Sequence, residues 1–411
     1  MLMLKILWLS DRVIGGVSAY SKVSLEVLTR LAEHGYSVAH IPMGRVNQMG
    51  KWVYRNILIY PSGEDPFAED VALKYYVDYK ADLLIWYKDC WVMRYLHKHS
   101  INMVPYCPID HSPVSPSITS KLHTAFKVLT PSRFGQRELM QAGLEPDIIY
   151  LPHGVDTEKF RYVPPEEKKR FKRHWFLDED DFTVLLIARN QSRKMIARQL
   201  RVYKRFLELN PDVKSHLYLW TSVKPYRMPF ETYTGVADVG VNLLPEIMNL
   251  GLGDNVIWPD EELVKEGIPD VGGRWNLHSL YAASDVLLGL TGGEGFFMPG
   301  LEAQSVGLPI LVTGYASAPE ICGSGYVVPY SDYVIMNTPG TRYALVDIDK
   351  GAEALTKILN SDWGKLSRKA RRFAERFDWR RIISNYWIPF LDECEKELYP
   401  LVTKKGVESW A

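Results

Sequence analysis

Residues 285–320 read Asp-Val-Leu-Leu-Gly-Leu-Thr-Gly-Gly-Glu-Gly-Phe-Phe-Met-Pro-Gly-Leu-Glu-Ala-Gln-Ser-Val-Gly-Leu-Pro-Ile-Leu-Val-Thr-Gly-Tyr-Ala-Ser-Ala-Pro-Glu. The pattern predicts a buried strand, a glycine-rich turn and a helix in immediate succession, as in parallel sheets covered by helices. Pro299 opens the helix, where its missing N–H costs no hydrogen bond. The unpaired amides of that first turn, together with the carboxylates of Glu294 and Glu302, suit a ligand with both phosphate and hydroxyl groups.

The bulk composition is that of a globular protein with more than one domain. The chain has 411 residues and a formal net charge of zero, from 49 basic and 49 acidic residues. Two or three domains are expected, since domains hold about 100–200 residues, and the even charge balance argues against a general affinity for nucleic acid. The four cysteines form no Cys-x-x-Cys pair, and no apolar run approaches the ~18 residues that span a bilayer. We therefore expect a reduced, cytoplasmic setting.

Short apolar segments alternate with longer amphipathic ones along the whole chain, which predicts an α/β protein with parallel sheets. A charged stretch that contains Pro164 and Pro165 interrupts this rhythm and marks the connection between two similar halves. We predict an N-terminal Rossmann-like domain (1–165), a C-terminal Rossmann-like domain (176–375) and a C-terminal helical segment (376–411). Predicted strands cover residues 4–9, 37–42, 82–87, 101–107, 125–130, 147–151, 182–188, 216–221, 255–258, 286–290, 309–313 and 326–328, and predicted helices cover 17–31, 196–209, 299–306 and 364–398.

The helical segment at 364–398 carries a strongly basic run between Arg368 and Arg381. One interpretation is a solvated face on terminal helices. The other is contact with anionic lipid head groups or with an acceptor, which would place the protein at the inner face of a membrane. The same two interpretations apply to Lys168–Arg173.

Several polar residues follow predicted strands, where a parallel sheet presents its carboxyl edge. Gly15 and Gly16 lie between the first strand and the first helix, and glycines there let a ligand approach the backbone. Arg189 and Lys194 follow the strand at 182–188 and could neutralise a pyrophosphate that gains charge on leaving. His111 follows the strand at 101–107 and is a candidate functional residue. His153, in Pro-His-Gly-Val-Asp, is interpreted as structural.

The sequence lacks the motifs that are typical of several other kinds of functional site. The sequence has no Asp-x-Asp at the end of a predicted strand, and its histidines are scattered. It also lacks the Gly-x-Ser-x-Gly elbow and the phosphate-binding loop of kinases and ATPases. Hydrolase and kinase activities are disfavoured, and we expect no metal cofactor.

Taken together, these residues resemble the retaining glycosyltransferases of the GT-B fold, and most closely family 4, whose substrates are nucleotide sugars. Seven residues separate Glu294 from Glu302, as in that family's Glu-x7-Glu motif. The other matching positions, in order, are Gly15-Gly16, His111-Ser112, Thr130-Pro131-Ser132, Pro152-His153-Gly154-Val155-Asp156, Arg189 with Lys194, and Leu280-Tyr281-Ala282-Ala283-Ser284-Asp285.

The resemblance implies two Rossmann-like domains that face each other across a cleft, with a C-terminal helix that returns to the first domain. It implies transfer of a hexosyl unit from a nucleotide-diphosphate sugar to a hydroxyl of a sugar, glycan or lipid-linked acceptor, on the face that the leaving group vacates. His111 would lie beside the reacting carbon. The donor-binding residues would be Gly15, Gly16, Arg189, Lys194, Glu294, Gly295, Phe296, Phe297, Met298 and Glu302.

Some positions depart from the family pattern. Phe297, Ala188 and Met195 stand where the family commonly has glycine. We expect the Phe297 ring to narrow or reshape the donor-sugar pocket, so the donor sugar and the base (UDP, GDP or ADP) stay open. The stretch 223–254 also matches poorly. Two other functions stay open: a nucleotide-sugar epimerase of the same fold, and a non-catalytic sugar-binding scaffold.

Overall fold

A computed structural model describes residues 4–16, 18–44, 50–225, 238, 240–336 and 340–400. The chain packs as two compact units. The first comprises the residues up to Lys88, residues 93–105 and the residues from Arg380 onward; the second comprises residues 89–92 and 106–379. Part of the stretch 223–254 and the predicted helix start at Val17 lie outside the described residues.

The first unit is built on one sheet whose centre is fully buried. In the described part of this unit the strands pair in the order β3-β4-β2-β1-β5-β6, and all pairs are parallel except β3 with β4. Helix α1 begins where the Ser18 hydroxyl caps it by accepting from the Ser21 N–H at 3.1 Å. The elements are β1 (Lys5–Asp11), α1 (Ala19–Glu33), β2 (Ser37–Met43), β3 (Trp52–Tyr54), β4 (Ile57–Ile59), α2 (Glu69–Tyr79), β5 (Leu83–Trp86) and β6 (Met103–Pro105).

The second unit contains the longer series of elements. Its main sheet, as described, has the parallel order β11-β10-β9-β12-β13-β14, beside a β7-β8 pair and an antiparallel β15-β16 hairpin that the sequence analysis did not predict. The elements are β7 (Val128–Thr130), β8 (Ile148–Tyr150), β9 (Phe182–Ile187), β10 (Ser215–Trp220), β11 (Val256–Ile257), β12 (Val286–Gly289), β13 (Ile310–Thr313), β14 (Gly325–Val328), β15 (Tyr330–Met336), β16 (Thr341–Val346), α3 (Pro116–Thr119), α4 (Arg133–Gln141), α5 (Lys168–His174), α6 (Ile196–Leu209), α7 (Leu244–Asn249), α8 (Glu261–Glu266), α9 (Leu277–Ala283), α10 (Met298–Val306), α11 (Ala318–Ile321), α12 (Ile348–Leu359) and α13 (Trp363–Ala374).

The C-terminal helices complete the first unit. The chain runs through α14 (Trp379–Ile382), a π-helical turn (Ile383–Trp387) and α15 (Ile388–Leu398). Trp387 is fully buried, and its ring centroid lies 5.6 Å from that of Trp8 on β1. The predicted return of the C-terminal helix to the first domain is therefore confirmed, because a large apolar side chain of this segment fills the first unit's core.

The boundaries of the observed units differ from those of the predicted domains. Residues 106–165, which the sequence analysis assigned to the first domain, pack with the second unit. The Val163 N–H donates to the Val306 carbonyl at 2.9 Å, and the Val155 N–H donates to the Phe377 carbonyl at 2.8 Å. The first pair joins residues 143 positions apart (306 − 163), and the second joins residues 222 positions apart (377 − 155). The periodicity of strands and helices does not reveal contacts between residues so far apart in the chain.

Some of the basic residues at 168–173 and 368–381 form contacts that stabilise the fold. Lys172 is 4% exposed, and its ammonium contacts the Asp285 carboxylate at 2.8 Å. Lys168 reaches the other oxygen of Asp285 at 3.1 Å. Arg371 donates to the carbonyls of Thr157, Phe160 and Ser305 at 2.9–3.2 Å. These three cations hold segments of the second unit together, so for them neither the solvated face nor the contact with lipid or acceptor applies.

Candidate functional site

Two loops that follow adjacent parallel strands of the second unit form the centre of the site. Strand β9 leads into the 3₁₀ turn Ser192–Lys194, and β12 leads into the glycine-rich turn before α10. Because parallel strands place their carboxyl ends at one sheet edge, the two loops meet. The Lys194 ammonium contacts Glu294 Oε1 at 2.5 Å, and Arg193 Nη1 lies 3.3 Å from Glu294 Oε2.

Glu294 is 5% exposed and stays ionised because of these cations. Burial by itself raises the pKa of Glu294, but the attraction of Lys194 and Arg193 outweighs it, so the pKa lies below its ordinary value. Burial and the adjacent Arg193 charge lower the pKa of Lys194. Burial also opposes the charge on Arg193, but Glu294 and Asp110 outweigh it and raise the pKa of the guanidinium. The site therefore holds a compact set of opposite charges.

His111 lies beside this cluster of charged residues, and both of its ring nitrogens form hydrogen bonds. Its Nδ1 is 2.7 Å from Asp110 Oδ1, and its Nε2 accepts from the Ser115 N–H at 3.2 Å. Because Nε2 is an acceptor, the proton of the neutral ring is on Nδ1 and is donated to Asp110. The other Asp110 oxygen lies 3.8 Å from Arg193 Nε. The sequence pattern pointed to His111 but to neither Asp110 nor Arg193, although Asp110 is adjacent to His111 and Arg193 is adjacent to Lys194.

Two glycines allow the His111 segment and the Glu294 turn to lie in contact. A Cβ placed on Gly293 would be 2.1 Å from the Asp110 carbonyl oxygen, and one on Gly295 would be 2.6 Å from Pro108 Cβ. Neither distance is compatible with a side chain. Glycine is thus needed at 293 and 295 because two backbones approach each other closely.

Three other predicted site residues, Glu302, Arg189 and Gly16, lie outside the Glu294 turn and the Ser192–Lys194 turn. Glu302, on α10, is 5% exposed and accepts from the Tyr281 hydroxyl at 2.8 Å. Arg189 is exposed just beyond the end of β9. Gly16 belongs to the first unit, where a Cβ would be 2.3 Å from the Arg12 carbonyl oxygen, and the preceding Gly15 has φ of +65°.

The hydrophobic neighbours of Glu294 support the turn from within. Phe296 is buried, with its ring centroid 4.9 Å from that of His153, and Met298 is the first residue of α10. The Tyr106 hydroxyl lies 2.8 Å from His153 Nδ1, and burial lowers the pKa of His153 to about 3. The neutral His153 ring therefore acts as a packing element, in accord with the structural interpretation from its sequence.

The structure contradicts the expectation that the Phe297 ring enters the donor-sugar pocket. Phe297 is 5% exposed and belongs to the hydrophobic core, with a left-handed backbone of φ +73°. Its ring occupies space that Gly289 and Gly300 leave free, since a Cβ on either glycine would lie 2.3 or 2.4 Å from it. Phe297 thus faces inward, and the glycines at 289 and 300 compensate for its size.

This packing predicts that Gly289→Ala destabilises the protein by about 1–3 kcal/mol, the usual cost of overpacking a core. The double variant Gly289→Ala/Phe297→Leu should recover part of the loss, because the smaller side chain gives room for the methyl group. Chemical denaturation of the single and double variants measures both effects. Gly253→Ala is the matched control, since its Cβ would meet only Met248 Sδ at 3.9 Å. Equal losses in the single and double variants would contradict the compensation.

No protein-family model matches the sequence. Over 233 residues the chain is 25% identical to the D-inositol 3-phosphate glycosyltransferase of Saccharomonospora viridis, a match that covers 56% of this chain and 46% of that protein. The matched part thus spans about half the length of this curated relative.

Solved structures match over nearly the whole chain. Sucrose-phosphate synthase from Thermosynechococcus elongatus has a TM-score of 0.69 at 15% identity, over 95% of this chain and 99% of that one. Anabaena HepE in complex with UDP-glucose has a TM-score of 0.62 at 16% identity, over 95% and 100% of the two chains. These similarities confirm the predicted α/β architecture: the chain has the GT-B fold of glycosyltransferases.

Two properties of the described residues bear on cofactors and membranes. Among them, no group of three or more His, Cys, Asp or Glu side chains is placed to hold a metal ion. None of the helices within the described ranges is both long enough and apolar enough to cross a bilayer.

Proposed function

We propose that the protein is a retaining glycosyltransferase that moves a hexosyl unit from a nucleotide-diphosphate sugar to an acceptor hydroxyl. The observation that carries the proposal is the ion cluster of Lys194, Arg193 and Glu294 at the carboxyl edge of β9 and β12, directly before the first turn of α10. Cations and helix amides suit a diphosphate, and a buried carboxylate suits sugar hydroxyls. A GT-B neighbour, HepE, binds UDP-glucose, which supports a nucleotide sugar as the donor.

The proposed role of each residue is the one that the family resemblance implies for its position. Lys194 and Arg189 contact the phosphates, and Glu294 accepts hydrogen bonds from the donor sugar. Glu302 contacts the nucleotide ribose, and the amides of residues 296–298 face the donor. Lys194 would exchange part of its contact with Glu294 for a phosphate oxygen when the donor binds.

The proposed reaction breaks the bond between the anomeric carbon and the diphosphate oxygen and forms a bond from that carbon to the acceptor oxygen on the same face. The acceptor proton passes to the departing diphosphate, so protons and charges balance. The protein contributes chiefly position and electrostatic stabilisation of the leaving group. We propose that Lys194 and Arg189 supply this charge without a divalent metal ion.

The experiment is an assay with UDP-, GDP- and ADP-linked hexoses, each with a panel of sugar acceptors and with a lipid-linked sugar in anionic vesicles. We expect release of one nucleoside diphosphate and a product whose anomeric configuration, read by proton NMR, equals that of the donor. Turnover should survive a chelator. The lipid arm tests whether exposed basic residues of α13, such as Arg368 and Arg372, bring the protein to a membrane.

Three outcomes would contradict parts of the proposal. Inversion at the anomeric carbon would exclude the same-face mechanism. Conversion of one nucleotide sugar into another without nucleotide release would identify an epimerase. Tight donor binding without any turnover, across the whole panel, would identify a sugar-binding scaffold.

A further inference from the structure

We propose that Asp110 and Arg193 are a pair of positioning residues. Asp110 holds the His111 ring in one orientation with its proton on Nδ1, and Arg193 connects that carboxylate to the Glu294 turn. The kinetic part of this inference rests on the proposed glycosyl transfer, whereas the state of the His111 ring can be measured without any substrate.

The contacts form a continuous chain across three segments, namely the His111 segment, the Ser192–Lys194 turn and the Glu294 turn. His111 Nδ1 donates to one Asp110 oxygen at 2.7 Å, and the second Asp110 oxygen faces Arg193 Nε at 3.8 Å. Arg193 Nη1 donates to the Gly293 carbonyl at 3.0 Å and lies 3.3 Å from Glu294 Oε2. Lys194 contacts the other oxygen of Glu294. One guanidinium therefore contacts both acidic groups and the backbone of the turn.

The shape of the guanidinium explains why an arginine suits this position. Its donors lie in one plane and point in fixed directions, so one side chain can serve two carboxylates and a carbonyl at once. The backbone adds to the connection, because the Gly292 N–H donates to the Arg193 carbonyl at 2.8 Å. The Arg193 side chain is 26% exposed and the Asp110 side chain 24% exposed, so water weakens their interaction only in part.

Charge balance explains why Arg193 is needed beside Asp110. Asp110 and Glu294 are two carboxylates on neighbouring loops, and Arg193 lies between them. Without Arg193 the two negative charges would face each other with less compensation. This would favour protonation of one of the two carboxylates, or movement of the two loops away from each other. Without the Asp110 carboxylate the His111 Nδ1–H would lose its acceptor, and the ring would be held only through Nε2.

The direct test is the ring state of His111 in protein with ¹⁵N-labelled histidine, with the signal assigned by its loss in His111→Gln. We expect the wild type to show the form protonated at Nδ1. Asp110→Ala should shift the signal part of the way toward a mixture of the two neutral forms, because only the Ser115 N–H, 3.2 Å from Nε2, then favours the form protonated at Nδ1. Asp110→Asn should keep the wild-type form, because its amide oxygen still accepts from Nδ1. A His111 signal that is unchanged in Asp110→Ala would overturn the inference.

A kinetic double-mutant cycle tests the connection to Arg193. Arg193→Gln is expected to lower kcat by up to roughly 10²-fold, the scale for a misplaced reacting group, and Arg193→Lys should recover part of it. Asp110→Asn removes the charge that faces Arg193 and should by itself lower kcat, but combined with Arg193→Gln it should be scarcely slower than Arg193→Gln alone, since linked residues are non-additive. Arg205→Gln, which removes an exposed ion pair with Asp349, is the matched control.

The possible results separate this inference from the proposed function. Additive losses in the double variant would overturn the linked pair even if the protein is a glycosyltransferase. If the wild type transfers no sugar to any acceptor, the proposed function fails, and the ¹⁵N signals of Asp110→Ala and Asp110→Asn still decide whether Asp110 positions His111. The Asn and Lys variants keep the size of the native side chains, so they test the roles without a cavity.

Discussion

Lys194→Ala should lower kcat by roughly 10²–10³-fold at saturating donor, the range for loss of one preorganised electrostatic partner in a reaction that develops charge. Lys194 is the cation nearest to Glu294, and its ammonium is largely buried. Removing it leaves the leaving diphosphate with less compensation and Glu294 with Arg193 alone. Initial rates of nucleotide release measure the effect.

Lys350→Ala is the matched control, because Lys350 forms an exposed ion pair with Glu353 at 2.9 Å on α12. It should leave kcat unchanged. Arg189→Ala tests the other half of the predicted phosphate-binding pair and should cause a loss in the same range as Lys194→Ala. A near-normal rate in purified, folded Lys194→Ala would remove Lys194 from the phosphate site. The same result for Arg189→Ala alone would leave Lys194 and Arg193 as its cations.

Asp285→Asn is expected to lower the free energy of unfolding by about 3–5 kcal/mol, the cost of breaking a buried ion pair and leaving its partner charged. Asp285 accepts from two lysines of α5 and from the Thr183 N–H at 2.8 Å. The exchange keeps the side-chain volume but removes the negative charge between Lys168 and Lys172. Denaturant unfolding at neutral pH measures the loss, and Asp349→Asn, which breaks an exposed pair with Arg205, should change stability by less than about 0.5 kcal/mol.

The acid dependence of stability gives an independent check. Burial raises the pKa of Asp285, but Lys168 and Lys172 outweigh it, so the pKa in the folded protein lies below the ordinary 3.8. The unfolded chain therefore binds this proton first as the pH falls, and the stabilisation, complete well above pH 3.8, is lost below it. The wild type should lose more stability between pH 5 and pH 3 than Asp285→Asn does. Parallel curves would show that the Asp285 carboxylate does not stabilise the fold.

The sequence alone determined the fold class and singled out Lys194 and Glu294, two residues that the structure places in contact. The alternation of strands and helices predicted the α/β architecture, since the period of an apolar pattern reports local backbone structure directly. The strands predicted at 37–42, 182–188 and 286–290 are found at Ser37–Met43, Phe182–Ile187 and Val286–Gly289. Lys194 and Glu294 were both identified because they follow such strands, and parallel strands end at a common edge.

Only the tertiary structure showed which residues far apart in the chain are in contact. The assignment of residues 106–165 to the second unit depends on such contacts, as does the inward position of the Phe297 ring. Sequence predicted that ring to face the sugar, because it could not show that Gly289 and Gly300 leave a space for it. Arg193 and Asp110 were missed for the same reason. A pattern along the chain reports which residues follow each strand, whereas packing in three dimensions determines which of their side chains meet.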